Sequence, residues 1–297
     1  MKRRTFLGIS LSAAAAHSAV PSDRPLASIG VVADVQYADA DPQGERHYRS
    51  SLPKLRAAVK DLAERNLLFT IHLGDLIDRD FQSFASVLPL WEPLRHEVKH
   101  VLGNHDFTVA AADQEKVPAL LGLGKGYHAY TAAGIRWICL DTNEVSVYRN
   151  SNAAKVNAAR GVMARLAKEG KKNAQPWNGG ISAAQLKWLD NELAEAGNQE
   201  SAAIVYGHHP LLPEDSHHAW NHQEILDVFA KHGCVRAYLS GHNHDGAESR
   251  YRGIPLITFR SLLHRPETTA YSVLHVFRDR LRIDGSGREP SRTIHFG

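Results

Sequence analysis

Short apolar runs rich in Val, Ile and Phe recur along this chain, and most of them end at a Gly, Asp or His. They cover residues 29–34, 68–75, 98–104, 135–141, 202–208, 235–242, 254–259 and 271–277. Runs of this length and composition are typical of buried strands. Because helical patterns lie between several of them, the sequence predicts an α/β fold whose central strands are largely parallel.

Two of the helical patterns follow serines that are suited to cap a helix. Leu52, Leu55, Val59 and Leu62 follow Ser51, and Leu186, Leu189 and Leu193 follow Ser182. Near the end of the chain, "YSVLHVFRDRLRIDGSG" predicts two antiparallel strands joined by a tight turn at residues 278–280. The final sheet therefore has an antiparallel part.

The chain shows no internal repeat at a fixed period and no linker rich in Pro, Gly or Ser. We therefore expect one domain over residues 27–297. Residues 150–180, a basic Ala-rich stretch followed by "QPWNGG", form the least regular region of the sequence. We expect this segment to cross the surface above a site.

Composition excludes some classes of function. The 297 residues, 43% of them apolar, are enough for a large core, and a net charge of +3 from 35 basic and 32 acidic residues does not indicate a nucleic-acid or membrane surface. The 18 histidines stand out, because an excess of histidine often accompanies metal or proton chemistry. Cys139 and Cys234 lack metal-site spacing, so we expect buried free thiols, with a disulfide as the alternative.

The first twenty residues resemble a twin-arginine export signal. Arg3 and Arg4 are followed by Phe6, Leu7, a short weakly apolar run and small residues near a cleavage point around Ser18. The apolar run is shorter than the roughly 20 residues that span a bilayer, so a permanent membrane anchor is the weaker alternative. We expect residues 1–20 to be a signal peptide and the protein to be exported to the periplasm or another extracytoplasmic compartment.

Polar clusters lie at the ends of five predicted strands. They are Asp34 and Gln36; Asp75 and Asp78 in "GDLID"; Asn104, His105 and Asp106 in "GNHD"; His208 and His209 in "GHH"; and His242 and His244 in "GHNH". Side chains two residues apart on a strand share a face, so Asp34 and Gln36 can present two oxygen atoms together. Because ligands bind beyond the carboxyl ends of strands in α/β folds, all five clusters can converge on one crevice.

In this order the five motifs resemble the signature of the calcineurin-like metallophosphoesterases, Asp-x-His, GDxxD, GNH(D/E), a lone His and GHxH. The resemblance runs from residue 29 to about 245. It implies a four-layer sandwich, with two mixed β-sheets packed face to face and flanked by helices. The sequence also resembles one branch of this family, the manganese-dependent ADP-ribose/CDP-alcohol diphosphatases. That branch is similar in having Gln, as at Gln36, where most relatives have His, and in the stretches "QGERHYRSSL", "WNGGISAAQLKWL" and "HHAWNH".

What this resemblance implies is a centre of two divalent metal ions. One metal would be held by Asp34, Gln36 and His244, the other by Asn104, His208 and His242, and Asp75 would bridge them. A donor set of imidazole, carboxamide and carboxylate without thiolate suits manganese, which the resemblance favours, or iron, zinc or magnesium. Such a pair of metals activates a hydroxide for attack on phosphorus.

The resemblance also implies a catalytic role for His105, which would contact the phosphate and protonate the leaving oxygen. Asp78 and Asp106 either orient such groups or act as capping or solvated carboxylates. By the same resemblance His208 is the metal ligand and His209 points away. Consecutive strand residues face opposite sides, so both cannot easily bind one metal.

Arg46, Arg49, His217 and Trp220 are the candidate substrate contacts, because guanidinium groups bind phosphates and aromatic rings stack on bases. The alternative for each is a charged helix start or a side chain packed on the core. "SHH" stands where relatives commonly have apolar residues and Cys before Ala-Trp-Asn. Because of that departure, the resemblance does not determine which nucleoside base the site prefers.

The sequence thus predicts a metal-dependent hydrolase that cleaves the phosphoanhydride of a nucleoside diphosphate linked to a sugar or an alcohol, as in ADP-ribose or a CDP-alcohol. We expect a monomer that acts on a small nucleotide-type molecule and binds no nucleic acid. The rival within enzymes is a broad phosphodiesterase or phosphomonoesterase of the same fold. A metal-free interaction scaffold is a further alternative, but such proteins lose ligand positions and here all seven are present.

Overall fold

The computed structural model describes residues 24–149 and 152–297, so the predicted signal at residues 1–20 lies outside the described residues. Twelve strands run through the described part of the chain. They are β1 (Ala27–Val32), β2 (Thr70–His72), β3 (Val98–His100), β4 (His128–Ala132), β5 (Ile135–Cys139), β6 (Ala202–Tyr206), β7 (Val235–Ser240), β8 (Ala247–Tyr251), β9 (Ile254–Thr258), β10 (Ala270–Val276), β11 (Arg280–Gly287) and β12 (Arg292–His295).

Helices lie between the strands along the described chain. The α-helices are α1 (Ser51–Ala63), α2 (Ser83–Val87), α3 (Ala111–Gln114), α4 (Val117–Leu120), α5 (Ala153–Lys168), α6 (Ala183–Asn198) and α7 (His222–Lys231). Short 3-10 helices cover Tyr48–Ser50, Leu88–Trp91 and His105–Phe107. In the stretches that the structure describes, no helix is long and apolar enough to cross a membrane.

The strands form two mixed sheets of six strands each. Strand order is β12-β11-β10-β1-β2-β3 in one sheet and β4-β5-β6-β7-β9-β8 in the other. The pairs β1–β2, β2–β3, β5–β6, β6–β7 and β7–β9 are parallel, and the remaining pairs are antiparallel. The predicted parallel centre and the predicted hairpin between β10 and β11 are both confirmed.

The two sheets pack face to face through a shared apolar core. Ile29 of β1 and Phe69 from the first sheet meet Trp137, Tyr206 and Leu239 from the second, and the rings of Phe69 and Trp137 lie edge to face with centroids 4.9 Å apart. The outer face of the first sheet is covered by α1 and its neighbours, and that of the second sheet by α6 and α7. The predicted four-layer sandwich is therefore confirmed.

Some details differ from the sequence prediction. Ser51 is the first residue of α1 rather than its cap, whereas the Ser182 hydroxyl caps α6 by accepting from the backbone N–H of Gln185. Residues 152–180, the described part of the segment that was expected to be irregular, are more regular than predicted, because they contain α5. Strands β4, β8 and β12 were missed since they are edge strands with partly exposed, polar residues. Cys139 and Cys234 are both free thiols, as expected, but only Cys139 is buried, whereas Cys234 is half-buried.

Lys54 of α1 ties this helix to the loop that follows β9. Its side chain is buried, and its Nζ donates to the carbonyl oxygens of four consecutive residues, Leu262 (2.5 Å), Leu263 (3.0 Å), His264 (3.3 Å) and Arg265 (2.7 Å). A lysine head in this setting replaces the water that those carbonyls would otherwise need.

Replacing Lys54 should therefore destabilise the fold. We expect Lys54→Met to lower the free energy of unfolding by about 2 kcal/mol or more, because several buried carbonyls lose their donor. Denaturant unfolding measures this. The matched control is Lys60→Met, at an exposed position of the same helix, which should change stability by less than about 0.5 kcal/mol. Equal unfolding midpoints for the two variants would contradict the assignment.

Candidate metal centre

The loops after β1, β2, β3, β6 and β7 meet at one end of the sandwich. Four buried residues in these loops, Asp34, Gln36, Asp75 and His242, have positive φ angles of 49°, 43°, 58° and 68°. Non-glycine residues rarely adopt this left-handed conformation, and where they do the surrounding structure must hold them there. Four such residues at one end of two sheets indicate a functional site.

One group of side chains gathers around Asp34. Ligand atoms of Asp34, Asp75 and His244 all lie within 4.8 Å of one another. The Gln36 amide belongs to the same group, because its Nε2 donates to Asp75 Oδ2 at 2.7 Å and lies 3.3 Å from His244 Nε2. Gln36 Oε1 is buried and has no hydrogen-bond partner among the described residues.

A second group gathers around His208. Its Nδ1 lies 2.8 Å from the carbonyl oxygen of Leu73, so the proton is on Nδ1, and Nε2 lies 3.0 Å from Asn104 Oδ1. His242 presents Nδ1 to the same point, 3.2 Å from His208 Nε2, while its Nε2 lies 2.9 Å from Asn178 Oδ1. Each imidazole thus donates outward and turns its other nitrogen inward.

Asp75 lies between the two groups. Its Oδ2 accepts from Gln36 and is 3.4 Å from His208 Nε2, and its Oδ1 accepts the backbone N–H of His105 at 2.8 Å. The loop that carries it passes close to Gly103, where a Cβ would collide with the backbone and side chain of Asp75. This is the position that a bridging ligand requires.

Burial and the charges of neighbouring side chains shift the pKa values of the groups at the centre. Burial raises the pKa of Asp34 to about 7, although His208 acts against it. Burial would also raise the pKa of Asp75, but His208 and His105 outweigh it and hold that pKa well below its usual value. Burial lowers the pKa of His208, but Asp75 more than compensates and brings it to about 9.

The other two imidazoles are held neutral. Burial, with His209 and His208 adding to it, keeps the pKa of His242 well below its usual value. Burial and His264 do the same for the pKa of His244. Neutral imidazoles and ionised carboxylates are the states that bind divalent cations, so a bound cation would displace the proton of His208 and keep Asp34 ionised. The Gln36 amide faces the same centre, and its oxygen would be the donor to a bound cation. The residues present therefore fit two cations that share Asp75.

The structure also brings His105 to this centre. Its ring lines the cavity above the centre, and its Nδ1 lies 2.6 Å from Asp78 Oδ1. Burial lowers the pKa of His105, but Asp75 and Asp78 outweigh burial and raise it above the usual value. Asp78 is thus in contact with His105, the geometry that the orienting alternative for this carboxylate requires.

Asp106 has a different role from Asp78. Its carboxylate is buried and accepts backbone N–H groups from Asp75 (3.2 Å), Leu76 (2.8 Å), Ile77 (3.3 Å) and Gly103 (2.8 Å). It therefore fixes the backbone of two loops and does not face the cavity. Such a carboxylate supports the centre by holding Asp75 in its unusual conformation.

His209 does not point away from the centre as expected. Its ring packs against that of His242, with centroids 4.4 Å apart, and its ligand atoms lie close to those of His208 and His242. Both of its nitrogens have protein partners, however, with Nδ1 2.8 Å from Thr142 Oγ1 and Nε2 3.3 Å from the Trp177 carbonyl oxygen. His208 therefore remains the better placed ligand.

An open cavity of about 610 Å³ lies over the metal centre. Apart from the residues already described, its walls are formed by Arg46, Thr108, Tyr148, Pro176, Trp177, His217, Asn243, Asp245 and His264. This volume is within the usual range for a site that binds a small molecule. Because Pro176 and Trp177 belong to residues 150–180, the expectation that this segment crosses a site agrees with the structure.

Two of the four candidate substrate contacts line this cavity and two do not. Arg46 and His217 are on its wall, and the Arg46 side chain has no acidic partner within the described chain. Arg49 instead pairs with Asp39 and Asp41 on the surface. Trp220 is buried in an apolar cluster with Ala159 and Leu166, so the alternative of core packing holds for it. The exposed aromatic at the cavity is Trp177, which is 41% exposed.

Sequence reasoning missed Trp177, Asn178 and His264. Trp177 and Asn178 belong to the quoted "QPWNGG" stretch, but nothing in its pattern indicated which side chains turn inward. His264 follows an apolar run in "SLLHRP" and resembles any loop histidine. Their partners lie 64 and 20 residues from Asn178 and His264, in the loop after β7, so only the fold reveals these contacts.

Comparison with known proteins agrees with this arrangement. A family model described as calcineurin-like phosphoesterase matches residues 27–246. The manganese-dependent ADP-ribose/CDP-alcohol diphosphatase of Xenopus tropicalis is 28% identical over 92% of this chain and 95% of its own length. The human protein of the same name is 28% identical over 93% of this chain and 94% of its own. The crystal structure of a dimetal phosphatase from Danio rerio matches with a TM-score of 0.82 and 25% identity, covering 92% of this chain and all of that chain.

Histidine substitutions should separate the ligand from its neighbour. We expect His208→Ala to lose at least one of the bound metal ions, because the imidazole between Asn104 and Asp75 is removed. His209→Ala should keep full occupancy, since both of its ring nitrogens bind protein groups. Elemental analysis after dialysis measures the metal content. Full occupancy in His208→Ala together with loss in His209→Ala would reverse the assignment.

Gln36 should set the metal preference of its half of the centre. A carboxamide oxygen is a harder donor than imidazole nitrogen, so it disfavours zinc and iron relative to manganese. We expect Gln36→His to shift binding towards zinc or iron by about tenfold, measured by competition between metals at equilibrium. An unchanged metal profile would mean that Gln36 is not a ligand.

Proposed function

The chain is a member of the calcineurin-like phosphoesterase family, and on that premise we propose that it hydrolyses the phosphoanhydride bond of a nucleoside diphosphate linked to a sugar or an alcohol. One observation carries the proposal: Asp75 and six further donors from five strand ends lie together, and five of these seven residues line a 610 Å³ cavity. The relatives named ADP-ribose/CDP-alcohol diphosphatases, which match along nearly the whole chain, support this substrate class.

Two divalent cations, manganese by analogy with those relatives, fit the donors described above. Asp34, Gln36 and His244 would hold one and Asn104, His208 and His242 the other, with Asp75 shared. When bound, the cations supply Lewis acidity for the phosphate oxygens and lower the pKa of water to a value that allows attack on phosphorus. The protein provides the fixed, buried donor set that makes this possible.

His105 is the residue that moves a proton. With Nδ1 held by Asp78 at 2.6 Å, the Nε2 of the same ring is the one left for the substrate. A protonated ring at this wall of the cavity is suited to donate to the oxygen that leaves phosphorus. Its positive charge also stabilises the charge that develops on the phosphate.

Arg46 and Trp177 are suited to bind the rest of the substrate. The Arg46 guanidinium is on the cavity wall without an acidic partner in the described chain, so it can form charge-assisted hydrogen bonds with the second phosphate. Trp177 and Pro176 form part of the same wall, with the tryptophan ring partly exposed. Such a ring can stack on the nucleoside base.

We further propose that the protein is exported as a single domain of residues 27–297 after a twin-arginine signal. The support is the paired Arg3 and Arg4 ahead of a short apolar run. Replacing both arginines by lysine should leave the protein in the cytoplasmic fraction of the cell that expresses it. Unchanged export would count against the signal.

The proposed reaction is tested by a panel of substrates. Metal-free protein is reconstituted with manganese, zinc, iron and magnesium in turn, and hydrolysis of ADP-ribose, CDP-choline, a cyclic nucleotide and p-nitrophenyl phosphate is measured side by side. We expect the two diphosphates to have the highest kcat/KM, with a nucleoside monophosphate as one product. A preference for p-nitrophenyl phosphate or for the cyclic nucleotide would favour a broad phosphoesterase and contradict the diphosphatase proposal.

The role of His105 is tested through Asp78. Asp78→Asn should lower kcat on the best diphosphate by about tenfold or more while KM stays within about threefold, because the histidine loses the carboxylate that orients it. The matched control is Asp279→Asn, an exposed carboxylate in the turn between β10 and β11. Equal kcat values for both variants would show that Asp78 does not act through His105.

A further inference from the structure

His264 contacts a proposed metal ligand from outside the recognised motifs. Its Nε2 lies 2.8 Å from His244 Nδ1, and the two rings are arranged edge to face with centroids 4.7 Å apart. The other nitrogen of His244, Nε2, points to the centre, 3.3 Å from Gln36 Nε2 and 4.0 Å from Asp34 Oδ1. His264 thus lies directly behind a ligand.

Hydrogen bonding fixes the protons of this pair when the centre is loaded. For Nε2 of His244 to bind a cation, its proton must be on Nδ1, which then donates to His264. Nε2 of His264 must in turn be an acceptor, so that ring carries its own proton on Nδ1 and is neutral. In the part of the chain that the structure describes, the Nδ1 of His264 has no partner, and the ring lines the cavity.

The backbone holds His264 firmly in this position. Its carbonyl oxygen accepts from Lys54, and it forms an antiparallel bridge with Arg46. The preceding residue, Leu263, donates its N–H to the carbonyl oxygen of Asp34 at 3.1 Å. A loop fixed at three points, one of them a proposed metal ligand, is built to place a side chain and not merely to connect two strands.

We propose that His264 is a positioning residue that fixes the tautomer of His244 and, as a neutral acceptor, holds the adjacent metal ion less tightly than a carboxylate would. The proposal rests on the proposed metal centre. Histidine ligands usually donate to a carboxylate, a carbonyl or a water, and a charged acceptor makes the imidazole a stronger donor to the metal. An imidazole acceptor provides the orientation without the added charge.

It follows that the residue at position 264 sets the metal affinity of one half of the centre. The half of the centre formed by Asp34, Gln36 and His244 combines a carboxamide ligand with a histidine whose partner is uncharged. Exchanging the acceptor should therefore change the affinity of this half while the half around His208 stays the same. This change in metal affinity can be measured without substrate.

Three substitutions of His264 test the proposal in the metal-free protein. Binding of Mn²⁺ is followed by the electron paramagnetic resonance signal of the free ion. We expect His264→Leu to weaken one of the two binding events by about tenfold or more. His264→Gln, which restores a neutral acceptor, should stay within about threefold of the wild type. His264→Glu, which supplies a charged acceptor of similar reach, should bind that ion about tenfold more tightly.

If the Leu variant folds poorly, the Gln and Glu variants still test the proposal, because these two side chains have nearly the same shape and differ in charge. His295→Leu, an exposed histidine outside the cavity, is the matched control and should leave both binding events unchanged. Equal affinities for the Gln and Glu variants, or wild-type binding by the Leu variant, would overturn the proposal. Because no substrate is present, this result is independent of the substrate panel, which can fail while the His264 series still follows the expected order.

Discussion

The buried carboxylate of Asp75 is the constraint on which the rest of the site depends. It lies between two groups of donors, contacting Gln36 on one side and His208 on the other. A carboxylate taken out of water needs compensating charge and hydrogen bonds, and here some of both come from His208 and from the backbone of His105. Two cations would complete this compensation, and the neutral imidazoles of His242 and His244 and the amide of Gln36 lie at the centre to hold them.

The fold holds the ligand residues in their strained backbone conformations. Parallel strands in both sheets deliver their loops to one end of the sandwich, and the core between the sheets holds the loops in register. Asp75 adopts its left-handed conformation because Asp106 accepts the neighbouring backbone N–H groups and because Gly103 leaves room for the loop. Residues that never touch a substrate thus determine where the ligands lie.

Much of this architecture could be predicted from the sequence. The apolar runs predicted the eight principal strands, since buried strands carry a strong local signal. The order of the polar motifs, through the family resemblance, predicted the fold and the residues that meet at one site. Edge strands such as β8 were missed because their residues are polar and half exposed, even though each pairs with the strand next to it in sequence. The supporting residues Asn178 and His264 were missed for a different reason, since their significance lies in contacts with histidines that are distant in sequence. Arg49 and Trp220 were wrongly predicted to contact the substrate because their residue types suit that role. In the structure Arg49 pairs with Asp39 and Trp220 is buried in an apolar cluster.

If the Asp75 carboxylate serves both halves of a two-metal centre, removing its charge must weaken both, and the metal stoichiometry of Asp75→Asn measures this. Metal-free wild-type protein and the variant are titrated with Mn²⁺ by calorimetry, with circular dichroism to confirm that both are folded. We expect two bound ions for the wild type and, for Asp75→Asn, at least tenfold weaker binding in both halves of the centre. Two ions bound by the variant with wild-type affinity would show that Asp75 does not bridge them.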